Sequence, residues 1–512
     1  MNKSLLTIFF LVFTQVAFSQ SKQDYHWFLG IDQGLEPGVN AYKIDFNDNP
    51  PTFKNSDNGL GIGGQATSIS SKNGDLLFSS NGCAVLNKNA EVMPHGDTLN
   101  YDEWYELAWD GSCIYGYPGF QDILILYDPA NDDGYHIIHK ANIFNGFGTK
   151  TTKELRHSYV DMSLNDNLGD VVYYDRSLVG QDSVLSSYLT AINHTNGRDW
   201  WIMQGLVNDS SYITFLLDEI GLSVQGVQNS HQYFNTNRSS ASGVARFSPD
   251  GTKYAVYNWY DQLHVYDFDR SSGQLSNHQK IEVFAPDEID TEEIRFSSLE
   301  WSSNSRFIYT ASLLELHQID MWEENPQNGI RLIDTYNGTL DPFTTTFFML
   351  SLAPDCKIYL APKNGTNSYH IIKNPNELGT ACNFVQNGIK LPRPSGIGSF
   401  LNFPRFRVDE EEKCDPTLTS VFGDAVYYRR DLNVYPSPSD GRYTIEVPDG
   451  FRSGTLSVLN LDGQVVESKV VSGGTLSVSI DITRYPSGYY HVELYSEENE
   501  DRVFWSRQVV KE

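Results

Sequence analysis

A short unit that occurs in four clear copies constrains the fold of this chain more than any other feature. Its fullest copy is SGVARFSPDGTKYAVYNWYDQLHVYDFDRSSGQL, residues 242–275. Three apolar runs, 243–247, 254–257 and 263–268, are separated by turn chemistry. Pro249 supplies a fixed φ, Asp250 a side chain able to bond its own backbone, and Gly251 a residue free to take positive φ. In the third run Leu263 and Val265 alternate with His264, Tyr266 and Phe268, so both faces carry apolar or aromatic groups. A strand apolar on both faces is covered on both. A small antiparallel sheet stacked between copies of itself meets that requirement.

The other copies are ISSKNGDLLF (69–78), WSSNSRFIY (301–309) and LAPDCKIYL (352–360), with a degenerate fifth at 162–173. Strand–turn–strand patterns at 122–140 and 189–204 fill the two wide gaps between them. About seven units follow, and the expected fold is all-β, a β-propeller. Residues 25–46 precede the first copy and hold the apolar stretches YHWFLG and NAYKIDF. They are expected to supply a strand that closes the ring and removes its open edge.

The 512 residues include 30 Tyr, 28 Phe, 40 Gly and 21 Pro, a composition of many short strands and many turns. A formal charge of −28 argues against nucleic acid or an anionic membrane as partner. The chain opens with Lys3, an apolar run over 5–16, and Ala17-Phe18-Ser19 before Gln20. That pattern is a secretory signal peptide cleaved between Ser19 and Gln20, and no later run is long enough to predict a transmembrane segment. An exported chain permits disulfides. Of Cys83, Cys113, Cys356, Cys382 and Cys414, the pair Cys356 and Cys382 falls within one unit and is the first choice for a bridge. No cysteine or histidine spacing suggests zinc.

After residue 408 the repeat pattern stops. An acidic linker, 409–431, leads into a small domain at 432–512 whose six or seven alternating strands predict an Ig-like β-sandwich. The domain opens with LNVYPSP, which contains Tyr435, Pro436 and Pro438, and continues to a turn at Gly441. Leu459, Gly463 and Val466 follow, then IDI at 480–482 and Gly488 with Tyr490. These motifs closely resemble the C-terminal sorting domain of type IX secretion cargo in Bacteroidetes. The resemblance implies that the type IX machinery reads this domain as an address, and that the cargo reaches the cell surface or the medium. Residues 20–408 look like a Bacteroidetes propeller family with WD40-like repeats. The likeness is carried by NGCAVLNKNAEVMPHGD (81–97), YVDM (159–162), the stretch from Asn374 to Cys382, and Phe403-Pro404 with Cys414. The resulting plan is a signal peptide at 1–19, a propeller at 20–408, a linker, and the sorting domain.

Chemistry is harder to find. Asp132, Asp133, Asp250, Asp267 and Asp269 fall in predicted hairpin turns, where carboxylates bond their own backbone. No Gly-x-Ser-x-Gly elbow occurs. His136 and His139, three apart on a strand, point to opposite faces, and His194 and His317 read as core or interblade donors. Residues 128–134 lack the oxygen spacing of a calcium loop and read as a hairpin turn. Trp200-Trp201, Trp259-Tyr260 and the aromatics of 101–109 suit interblade packing better than sugar stacking. No catalytic, cofactor-binding or metal-binding residue is therefore assigned. The expectation is an exported, non-enzymatic propeller that binds a protein or glycan at one rim or at the channel mouth. The alternative is a secreted glycan-active hydrolase or lyase, which requires carboxylates or a Tyr/His/Arg set converging in the channel.

Overall fold

The computed structural model describes residues 21–30, 42–55, 61–62, 64–102, 105–106, 116–144, 149–185, 187–206, 211–229, 231, 243–285, 296–391, 400–410, 414, 428–448, 451, 453–460, 465–496 and 503–512. The signal peptide with Ser19 and Gln20, and the turn at Gly463, lie outside the described residues.

Each strong copy folds as the sequence pattern requires. In the 242–275 unit Val244–Phe247 pairs antiparallel with Lys253–Asn258, placing Phe247 opposite Tyr254. Gln262–Asp269 and Gln274–Ile281 complete a four-stranded sheet. The connecting turn is held locally. The Ser248 hydroxyl donates to Asp250 at 2.6 Å and accepts from the Lys253 amide at 2.9 Å, while Gly251 sits at φ 72°. Ser302 in the next copy accepts from the Phe307 amide at 2.8 Å in the same way.

Seven blades are present among the described residues, at 26–55, 67–87, 123–185, 190–229, 244–281, 298–335 and 347–390. The degenerate copy at 162–173 is not a blade of its own. It is the hairpin between Thr149–Asp161 and Asp170–Leu185, the long outer strands of the third blade. The count survives because residues 26–55 form a blade.

That first blade differs from the others. Innermost strands of neighbouring blades run in one direction: Ser298 and Glu300 side chains accept from the amides of Leu350 and Leu352 on the next blade. His26–Leu29 runs the other way, since Gly30 pairs antiparallel with Ile62 and the Ser70 amide donates to Gln23. Its place beside the axis is taken by residues 400–408, which pair in parallel with Ile192 through Arg405. The two ends of the propeller thus meet beside the first blade, whose three described strands all come from the N-terminal stretch, the third, Thr52–Asn55, following the two stretches picked out above. Trp27 seals the junction, its ring 5.1 Å from Phe46, 5.8 Å from Tyr359 of the seventh blade and 5.4 Å from Phe400.

The cysteine pairing departs from the expectation. Cys356 bonds to Cys414, and Cys382 is free and buried. Cys356 occupies the turn slot that Gly251 holds in the fifth blade, also at positive φ (63°), and so faces the C-terminal segment. Cys382 lies in the short 3-10 turn Gly379–Cys382, packed in the core between the sixth and seventh blades.

The C-terminal domain is a sandwich of a five-stranded and a three-stranded sheet, eight strands in all. Leu456, Val458, Val492 and Leu494 from one sheet meet Tyr443, Ile445 and Ile480 from the other.

Two predictions follow from this packing. A Cβ on Gly251 would stand 2.5 Å from Arg270 Cδ and 2.7 Å from Val408 Cγ1 at a positive φ, so Gly251→Ala is expected to cost about 1–3 kcal/mol in denaturant unfolding. Acid is the second lever. Burial lowers the pKa of His26 and His370 to about 4 and of His157 to about 3, and pushes His136 and His139 down as well. Below the ordinary histidine value near 6.5 the unfolded chain therefore binds protons that the fold refuses. Stability is full above pH 6.5 and falls as the pH drops from there towards 4. A melting temperature unchanged between pH 7 and 4.5 would contradict this.

Candidate functional site

The axis of a propeller is the usual place for a catalytic or ligand site, and here the chain itself fills it. Three rings close the upper mouth, where the innermost strands begin: Phe120 lies 5.1 Å from Phe348 and 6.4 Å from Phe296. Below them residues 400–408 descend through the channel. The Asn402 amide nitrogen donates to the Ala66 carbonyl at 3.0 Å, and its side chain donates to the carbonyls of Ile123 and Leu189, both at 3.0 Å. Its side-chain oxygen accepts from Arg246 at 2.8 Å. One side chain thereby links three blades and satisfies its own hydrogen-bonding capacity.

Further down, the Arg405 amide donates to Ala191 O at 3.1 Å, and its guanidinium donates to Phe247 O at 2.9 Å and to the Glu300 carboxylate. Glu300, 2 % exposed, also accepts from the amides of Trp301 (2.8 Å) and Leu352 (3.2 Å), and Arg246 stands 3.5 Å away. Burial lowers the Arg246 pKa to about 10, opposed by the Glu300 charge. At the lower mouth Arg407 makes a two-pronged pair with Asp24 at 2.5 and 2.7 Å, and Arg270 makes another with Asp409 at 2.7 Å on each prong. Cys414 is then fixed to the seventh blade through Cys356.

A small pocket of about 40 Å3 remains at this lower mouth, bordered by Asp24, Arg246, Glu300 and residues 403–408. Two carboxylates and three arginines therefore do converge, the set that would mark an enzyme. Each carboxylate, however, is already held by a guanidinium of the inserted segment. A general acid or base needs a free proton-accepting or proton-donating face towards the substrate, and these groups are occupied as latches.

The other candidates separate along structural lines. Trp200, Trp201 and Trp259 are buried, and the indoles of Trp200 and Trp201 donate across blade boundaries to Tyr127 O and Arg270 O. The Tyr101 and Tyr105 rings lie 5.2 Å apart and tilted by 55°, while Trp104 and Trp109 lie outside the described residues. His136 pairs with His157 at 2.8 Å, whereas His139 turns the other way to Asn100 and Ser158. His194 Nε2 donates to the Ser271 carbonyl of the next blade, and His317 packs on Phe284. Asp122, Lys140 and Lys153 form a fully buried cluster where the third and fourth blades join. Burial drives Asp122 upwards, but the two ammonium groups overcome it and hold the carboxyl below its usual value. Among the turn acids, Asp250 and Asp269 bond their own turns, and hydrogen bonds from Ser272 and Ser271 bring Asp269 to about 2. Asp132 and Asp133 do not, and face a second cleft on the lower face. No group of three or more His, Cys, Asp or Glu among the described residues is arranged to hold a metal ion.

In the C-terminal domain the motif residues divide in two. Gly441 takes φ 102°, and a Cβ there would stand 2.7 Å from Lys511 Cε. Tyr490 donates to Pro486 O at 2.7 Å, pinning a corner of the sandwich. Tyr435, Pro436 and Pro438 are exposed, and Gly488 at φ 150° has open space around it.

Removing one partner from the channel latch is expected to be costly. Arg405→Ala leaves Glu300 buried with Arg246 alone nearby among the described cations and should cost about 3–5 kcal/mol in denaturant unfolding. A loss under about 1 kcal/mol would show that the segment is not what holds the ring.

None of the curated proteins matches the sequence. Among solved structures, a functionally unknown protein from Desulfotomaculum acetoxidans is 10 % identical, with 74 % of this chain and 99 % of that one covered and a TM-score of 0.38. The periplasmic gluconolactonase of Pseudomonas aeruginosa is 10 % identical over 73 % of this chain and 99 % of its own, with a TM-score of 0.32. The Cps50 (Swd1) β-propeller domain of Myceliophteria thermophila is 9 % identical, covering 77 % and 96 %, with a TM-score of 0.31. At such scores these likenesses carry no argument, and the propeller assignment rests on strand order. The C-terminal match is of another kind, because residues 433–510 fit the family described as the secretion system C-terminal sorting domain. No helix among the described residues is long and apolar enough to cross a membrane. The chain therefore carries, behind a seven-bladed propeller, a member of the type IX C-terminal sorting domain family, and is exported to the cell surface or the medium.

Proposed function

We propose that the propeller is a non-enzymatic binding module, delivered outside the cell to hold a protein or glycan through an exposed face. The observation that carries this reading is the filled channel. Residues 400–408 occupy the axis, and Glu300 and Asp24 are engaged by Arg405 and Arg407. Function then falls to the faces of a rigid ring, where turns present side chains on a fixed scaffold. Fold alone does not assign activity, so the reading stands or falls on two measurements. The purified propeller should release no reducing ends or unsaturated products from a panel of polysaccharides, and it should retain ligands on an array of glycans and surface proteins. Turnover of any polysaccharide by the pure protein would sink the proposal in favour of a hydrolase or lyase.

We further propose that the exposed Tyr435, Pro436 and Pro438 form the part of the sorting domain that meets the secretion machinery, whereas Gly441 and Tyr490 serve its folding. Deleting 433–510 is expected to leave the protein in the periplasm. Substituting Tyr435 and both prolines by Ala should reduce export while leaving the melting temperature of the domain nearly unchanged. Normal export of the deletion would overturn the assignment.

A further inference from the structure

The first turns of the second, third and fourth blades enclose a cleft on the lower face, about 1280 Å3 when measured out to open solvent. Several of its wall groups have no partner within the protein among the described residues. Ser70, 1 % exposed, lines it, and its hydroxyl is buried without a hydrogen bond. A buried hydroxyl left unsatisfied is costly, and native structures rarely leave one without a water or ligand nearby. The Lys72 ammonium, the Tyr135 hydroxyl and the carboxylates of Asp132 and Asp133 also border the cleft unpaired. Tyr127 completes the wall. Both tyrosine rings are braced from behind, Tyr127 by Trp200 at 4.7 Å and Tyr135 by Phe78 at 5.4 Å.

We propose that this cleft binds a neutral saccharide. The inference rests on reading the propeller as a binding module and names its site and ligand class. A sugar hydroxyl both donates and accepts, and the cleft offers free donors (Lys72, Tyr135) beside free acceptors (Asp132, Asp133). Braced aromatic rings suit the apolar face of a pyranose. Anions are disfavoured, because among the described residues lining the cleft Lys72 is the one free cation beside Asp132 and Asp133, and Arg198 is already engaged by Asp199 and Glu219. A divalent cation lacks the three ligating side chains it needs among the described residues.

The test uses the full chain without its signal peptide, titrated calorimetrically with maltohexaose, cellohexaose, mannohexaose and chitohexaose. At least one is expected to bind. The double variant Asp132→Ala/Asp133→Ala and the single variant Lys72→Ala should each weaken it at least tenfold with an unchanged melting temperature, since these exposed side chains hold nothing in the fold. No heat with all four saccharides overturns the site, as does binding that the cleft variants leave intact, while the binding-module reading survives both results. Cleavage of the bound saccharide, seen by chromatography of the mixture, overturns that reading instead.

Discussion

Asn402, Arg405 and Arg407 carry the structure. Within each blade the strands pair with their neighbours in sequence, but a ring of such sheets has two loose ends. The segment 400–408 joins them by running down the axis, where it meets Ala66, Ile123, Leu189, Ala191, Phe247, Glu300 and Asp24 in turn. Each guanidinium buried this way gives up hydration worth several kcal/mol, roughly, and recovers it only when the complete set of acceptors is in place. The latch is therefore sensitive to register: a ring with one blade missing or misplaced would leave charges buried and unpaired.

Among the described residues the segment 400–408 occupies the axis, and the unpaired groups of Lys72, Asp132, Asp133 and Tyr135 border the cleft on the lower face. The disulfide between Cys356 and Cys414 reinforces this arrangement where the segment leaves the ring. The sorting domain begins only after that tether, so the contacts that close the propeller all lie upstream of the export address.

Some of this was legible in the residues. The turn at Ser248, Asp250 and Gly251 depends on hydrogen bonds within five residues, and its copies at Ser302 and Asp355 could be recognised without knowing their neighbours. The sandwich motifs at Gly441 and Tyr490 are local in the same sense. The junction at the first blade was not legible as a whole, because its contacts join residues almost four hundred positions apart, Asp24 with Arg407 and Trp27 with Phe400. Arg405 and Arg407 did leave a trace, two charges inside the otherwise apolar run FPRFRV, which is the signature of buried ion pairing rather than of a loop. Asp132 and Asp133 looked like any turn acids, and only their lack of partners distinguishes them from Asp250 and Asp269.

The sequence by itself determined the blade, the approximate number of blades and the export address, because each is written in short-range patterns of turn residues and apolar alternation. Tertiary structure decided which residues stand at the axis, that Cys356 meets Cys414 rather than Cys382, and which polar groups remain unpaired. Those outcomes depend on which distant carbonyl or carboxylate a side chain finds once the ring has closed, and chain spacing does not encode that.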